Sequence, residues 1–205
     1  PQQGGGGFSF VVPTEFVDLP SQGRFYPEGH PLHGQDSIEI KQMTAKEEDI
    51  LTSRTLLKKG VALERLISSL IVDNTIDPRT LLIGDRNAII VAARVSGYGS
   101  DYSTKVQCPA CDTKQTYTFN LYSAHVYHGE DNENLRATIN ANGTITCRLP
   151  KTQVEVVAKL LTGRDEKSIT SIVKSDNQIS KQLETLIVSV NGDSSREAIK
   201  YVANN

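Results

Sequence analysis

Apolar residues recur at helical spacing through the middle of the chain. Leu63, Leu66, Ile67, Leu70 and Ile71 fall three and four positions apart, which predicts a helix over residues 61–72. Ile89, Ile90, Ala93 and Arg94 do the same within residues 86–96, with Asp85 placed to cap the start and Gly97-Tyr-Gly99 to break the end. Leu63, Leu66, Ile67, Leu70, Ile89, Ile90 and Ala93 are therefore the expected centre of a helical domain. A further helix is predicted upstream. Thr44-Ala-Lys-Glu47 has the spacing of a capping box, and Ile50, Leu51, Leu56 and Leu57 form a stripe that Gly60 ends. Asp77-Pro78 suits the start of a short helix.

Strand-type patterns lie on either side. Residues 8–12 are a short apolar run, and residues 37–41 alternate polar with apolar. Residues 102–107 and 115–120 flank Cys108-Pro-Ala-Cys111, predicting a hairpin with Val106 and Phe119 on its strands. A second hairpin, residues 135–140 and 144–149, turns at Ala141-Asn142-Gly143, where Asn-Gly supplies the left-handed positions a tight turn demands. Residues 17–27 hold two prolines and a glycine, which forbid a long helix or a central strand. They read as an extended, irregular segment anchored by Leu19, Phe25 and Tyr26.

The last quarter reads as helical. Thr152 and Glu155 have capping-box spacing before Val156, Val157, Leu160 and Leu161, with Gly163 as the stop. Ile169, Ile172 and Val173 mark a short helix. Ser175 with Gln178 opens a longer one carrying Ile179, Leu183, Leu186 and Ile187, and Ser194 with Glu197 opens the last. The fold class is α+β: a central helical domain, an inserted two-hairpin β region with a CxxC knuckle, and a C-terminal helical region. The expected boundaries are a flexible or extended arm over 1–16, an extended segment plus helical domain over 17–100, the β region over 101–150, and the C-terminal region over 151–205.

Composition narrows the chemistry. In 205 residues, 22 basic and 24 acidic side chains leave a net charge of −2, so no basic surplus exists to neutralise phosphates. Aromatics are 6% and Trp is absent, which removes the usual base-stacking platform. Nucleic acid is not an expected partner. No apolar run approaches a membrane span. The chain opens on Pro1, so a native start upstream is expected, and residues 4–7 are all glycine, a flexible tether. Glu47, Glu48 and Asp49 fall in a predicted first helical turn, where they favour the positive end of the dipole. No nucleophile stands beside a base, and no enzyme is expected.

The three cysteines do not form a disulfide framework and suit a reducing compartment. Cys108 and Cys111 are half of a zinc ribbon, but no second CxxC follows. Two readings stay open. In one, Cys147 joins them as a third ligand, with His125 or His128 as a fourth, and zinc is the only cofactor. In the other the thiols are small hydrophobes on a hairpin, and there is no cofactor. His30 and His33, in a Pro- and Gly-rich loop, read as solvated rather than ligating.

Four segments in order resemble one family: DLPSQGRFYP over residues 18–27, IEIKQMTAKEEDIL over 38–51, the stretch from Asp85 through Arg94 and Gly97-Tyr-Gly99 to Tyr102, and Cys108-Pro-Ala-Cys111. Together they resemble the T4-type bacteriophage baseplate protein family over residues 17–125. The resemblance implies a structural or assembly protein of a phage tail baseplate hub, acting by protein–protein contact. It implies tail and baseplate partners within a large oligomeric assembly, and a place in the virion after assembly in the host cytoplasm. Alternatives are a transient tail-assembly chaperone, or a zinc-ribbon adaptor or nucleic-acid module. The expected partner-binding residues are Phe8, Phe10, Leu19, Phe25 and Tyr26, with residues 8–12 adding as a strand to a neighbour.

Overall fold

The computed structural model describes residues 12–124, 126, 137–172 and 178–204. The architecture is α+β. β1 (Thr14–Asp18) pairs antiparallel with β2 (Ser37–Lys41), placing Val17 opposite Ile38 and Glu15 opposite Ile40. Residues opposite one another share a face, so Val17, Ile38 and Ile40 turn inward together and Phe16 is left on the other side. Helices α1 (Ala45–Thr52), α2 (Arg54–Lys58), α3 (Ala62–Leu70) and α4 (Ile83–Tyr98) follow. Strands β3 (Asp101–Gln107) and β4 (Lys114–Asn120) make a separate two-stranded hairpin. A four-stranded antiparallel sheet takes β5 (Ala137–Ile139), β6 (Ile145–Arg148), β7 (Glu155–Ala158) and β8 (Ile187–Val190) in that order. Helices α5 (Gly163–Ile172) and α6 (Gln178–Leu186) connect β7 to β8, and α7 (Arg196–Asn204) follows β8.

The core joins helices, strands and a loop. Leu66, Ile67 and Leu70 come from α3, Ile89 and Ala93 from α4, and Val17, Ile38 and Ile40 from the first strand pair. The β1–β2 connection supplies Leu19, Tyr26 and Leu32. That connection is a run of turns, not an extended segment. Gln22 N donates to Leu19 O, Arg24 N to Ser21 O and Gly34 N to Gly23 O. Proline and glycine break the ladder here, as expected, but the loop's own backbone bonds and its buried side chains wind it tightly.

Its polar anchor is Asp85, which has no solvent exposure. The carboxylate accepts from Ser21 N at 3.0 Å, Ser21 Oγ at 2.6 Å and Tyr26 Oη at 2.8 Å. Tyr26 Oη in turn accepts from Leu82 N at 3.1 Å, satisfying a free amide at the start of α4. Burial and the neighbouring carboxylate push the Tyr26 hydroxyl pKa up. Asp85 therefore does not cap the helix. It sits inside the first turn of a helix that starts earlier than expected, with Leu82 as the preceding residue. A second buried carboxylate ties α1 to α3: Glu47 accepts from Thr44 N and Oγ1, completing the capping box, and from Ser69 Oγ at 2.6 Å. Burial pushes the Glu47 carboxyl up, but the Ser69 and Thr44 hydroxyls and the local amides outweigh it and hold it below the usual range.

Several expectations fail locally. The helix expected up to Gly60 breaks at Ser53, whose extended backbone and hydroxyl start α2 afresh. Asp77-Pro78 makes a turn, because Asp77 accepts from Arg79 N and from the Arg79 guanidinium. Leu63 lies on the outer face of α3 and is 45% exposed, so it leaves the core. Thr152 and Glu155 do not open a helix. Val156 and Val157 belong to β7, where β-branched side chains fit the pleat and both neighbouring strands supply partners. Gly163 begins α5 instead of ending a helix; the capping pair there is Thr162 with Asp165. Ile187 starts β8. The second hairpin thus pairs onward with β7 and β8, and the C-terminal region is a helix-covered sheet. The strand expected over residues 8–12 lies outside the described residues, apart from Val12.

That sheet is fastened to the first core at two places. Ile83 N donates to Leu161 O and Gly163 N to Leu81 O, both at 3.0 Å. The β5–β6 turn presses on the loop: a Cβ at Gly143 would lie 2.5 Å from Phe25 O. In this three-residue turn only Gly143 is left-handed, at φ +77°, and Asn142 is not.

Two measurements check this account. Tyr26→Phe removes a hydroxyl bonded at both ends and is expected to lower unfolding free energy in urea by about 1.5–3 kcal/mol. Leu63→Ala should lose less than about 1 kcal/mol; an equal loss in both would refute the anchor. Gly192, at φ +80° with open space around it, is the control for Gly143. Gly143→Ala should destabilise by about 1–3 kcal/mol more than Gly192→Ala, since only the former collides with backbone. Equal effects would show that conformation alone matters there.

Candidate interaction surface

The β3–β4 hairpin extends the C-terminal end of α4. The Arg94 guanidinium donates to Gly99 O at 2.9 Å and to Asp101 O at 3.4 Å, and it lies over the rings of Tyr98 and Tyr102 at 4.9 and 5.9 Å. Leu121 N donates to Ser100 O across the root. Beyond the root the hairpin has few contacts with other described elements, and all seven β4 residues are exposed.

Its two faces differ. Period-two alternation puts Tyr102, Thr104 and Val106 on one face, opposite Phe119, Tyr117 and Gln115. Tyr102 and Phe119 sit 5.4 Å apart centre to centre, and Tyr117 and Phe119 6.0 Å. The reverse face carries Asp101, Ser103, Lys105, Lys114, Thr116, Thr118 and Asn120. An amphipathic two-stranded sheet with its aromatic face in water is marginal alone and is the kind of patch that marks a contact site.

Cys108 and Cys111 are at the tip, as the sequence predicts, with Val106 and Phe119 on the strands. Cys147 is on β6, between Ala137 and Val156. Among the described residues no three His, Cys, Asp or Glu side chains come together as a metal site, so Cys147 is not brought to the pair. His125 and His128 lie outside the described residues. The Thr113 hydroxyl and amide, then the Cys108 thiol, lower the Cys111 thiol pKa.

The loop residues have a different destination. Leu19 and Tyr26 are each 1% exposed, packed in their own core, and Phe25 is half-buried against it. Whatever this loop offers a partner, Leu19 and Tyr26 are not on its surface. Phe8 and Phe10 lie outside the described residues. His30 is half-buried and held in place, while His33 is exposed, as expected, although its ring is tethered. The His30 ring stacks on Tyr26 at 4.4 Å, accepts from Leu32 N, and its Nε2 is 2.9 Å from Thr80 Oγ1; burial lowers its pKa. His33 Nδ1 donates to Tyr26 O at 2.6 Å. Two of the surface clefts hold charged side chains of both signs: one is lined by Glu64, Arg65, Asp77 and Arg79, another by Glu64, Arg79, Arg164 and Lys167. No described helix is long and apolar enough to cross a membrane.

The family model for the T4 bacteriophage base plate protein matches residues 13–202. The chain belongs to that family. The match runs well past residue 125, so the C-terminal sheet and helices are as much part of the baseplate fold as the loop and the first core. It gives the chain a structural role in a phage baseplate and a place in the virion tail with other tail proteins. No curated protein and no solved structure matches it.

In this baseplate protein the aromatic face is what sequence reasoning passed over. Its signal is the alternation Tyr102, Thr104, Val106 and Gln115, Tyr117, Phe119, which the neighbouring cysteines overshadow. Arg94→Lys keeps the charge but loses the fork that holds the root. Amide exchange over β3 and β4 should become about three- to tenfold faster in this variant, following local opening, with α3 unchanged. Equal protection of β3 and β4 in variant and parent would show that Arg94 does not hold the hairpin.

Proposed function

We propose that this baseplate protein is a structural or assembly component of the baseplate hub, engaged with neighbouring tail proteins through the β3–β4 arm. The observation that carries the reading is the exposed aromatic face of Tyr102, Tyr117 and Phe119 on a hairpin rooted, among the described residues, mainly at the end of α4. Docking that face buries apolar area and orders a marginal sheet in one step. Phe25, half-exposed beside the β5–β6 turn, is a second contact in this reading, with Phe8 and Phe10 as further candidates. The function is binding, with no catalytic step.

Mass spectrometry of purified phage particles tests the role, alongside Tyr117→Ser with Phe119→Ser. The parent chain is expected in finished particles. The double variant should keep its far-ultraviolet circular dichroism and thermal midpoint but fall at least about tenfold in incorporation, as loss of an aromatic hot spot predicts. A chain found only on assembly intermediates would make it a transient chaperone. Undiminished incorporation of the double variant would overturn the role given to the arm.

A further inference from the structure

The tip of the β3–β4 hairpin places two cysteines on one tight turn. Asp112 N donates to Cys108 O at 2.9 Å and Cys108 N to Thr113 O at 3.0 Å, closing a tight turn around the two cysteines. Asp112, directly after the second cysteine, is left-handed at φ +57° and is held by Gln107 Nε2 at 3.0 Å. Both cysteines stand on this one turn, and Cys111 Sγ is 3.3 Å from Thr113 Oγ1. Two sulfurs on one turn match one edge of a zinc tetrahedron, and a structural zinc site requires four ligands.

The missing ligands are not found on the same molecule among the described residues. Cys147 is held in the other sheet, paired with Ala137 and Val156. The arm meanwhile carries the tip away from the body, with Cys111 and its neighbours exposed. A half-site on a projecting tip is geometrically suited to completion by another molecule.

We propose that Cys108 and Cys111 of two copies of this chain together hold one zinc ion, tip to tip about a two-fold axis. A second copy supplies the same pair of sulfurs on the same turn, so the contact closes on itself and no further ligand is needed. Charge favours this occupant. Close to the tip each arm sets Asp112 against Lys105 and Lys114, one positive charge in excess, so two copies offset the two negative charges of a four-thiolate zinc, and the two-fold axis can set Asp112 of each against the partner's Lys114. Four thiols each release a proton to solvent, four zinc–sulfur bonds form, and no electron is transferred. The aromatic faces remain outside the contact and free for tail partners.

The test uses the full chain, purified under reductant, freed of metal and titrated with zinc. Elemental analysis should find one retained zinc for every two chains, and light scattering should show the mass double with zinc and return on chelation. Cobalt in place of zinc should give the absorption of a four-thiolate site. Cys108→Ser with Cys111→Ser should abolish both retention and doubling while keeping the circular dichroism of the parent. Cys147→Ser should change neither. A zinc ion held by a monomer, doubling that persists without metal, or no retained zinc would each overturn the proposal, and none of these outcomes bears on the presence of the chain in phage particles.

Discussion

A carboxylate closed off from water sets the terms for the rest of the chain. Asp85 can remain buried only if donors reach it, since an unpaired buried charge costs far more than a domain can offset. The donors come from Ser21 and Tyr26, 64 and 59 positions earlier. Meeting that demand winds the β1–β2 connection into turns and brings Leu19 and Leu32 into the core. It also fixes where α4 begins, because the Tyr26 hydroxyl that donates to Asp85 also accepts from Leu82 N. One interaction joins loop, strand pair and helix.

From α4 the order spreads in two directions. At its start, backbone bonds to Leu161 and from Gly163 attach the C-terminal sheet, and Gly143 of that sheet rests on Phe25, next to Tyr26. The second fastening is thus seated on the same loop that Asp85 holds. At its other end, Arg94 closes the last turn and carries the hairpin. A helix anchored at its first turn gives the hairpin a fixed base, which a loop would not.

What could be read from sequence follows the range of each interaction. Leu66, Ile67, Leu70, Ile89 and Ala93 are legible because burial repeats every three or four residues along a single helix. The Thr44–Glu47 box is legible because its partners are three residues apart. Thr152 with Glu155 has the same spacing and misleads: Val156 and Val157 are taken by strands on both sides, and nothing local announces β8 thirty residues on. The true pair, Thr162 with Asp165, was hidden by using aspartate where glutamate is usual. Leu19 and Tyr26 are legible as apolar anchors, yet their place in their own core depends on Asp85, which no short pattern reveals. For the candidate surface, the hairpin and its cysteine tip were legible. The aromatic face was present in the alternation but became meaningful only once the arm was seen to stand apart.

The separation of arm from core has a consequence for assembly. Tyr26 is placed where both hydrogen-bonding roles of its hydroxyl are filled, so it stabilises the fold and is closed to partners. Tyr102, Tyr117 and Phe119 are placed where their apolar area is uncovered, so they add little to the fold and remain available. Because the hairpin, among the described residues, meets the body mainly at the end of α4 and through Arg94, ordering it against a neighbour requires no rearrangement of the core. Stability and attachment are then set by different residues. If the arm is the contact surface we propose, that surface can strengthen or weaken without altering the fold that carries it.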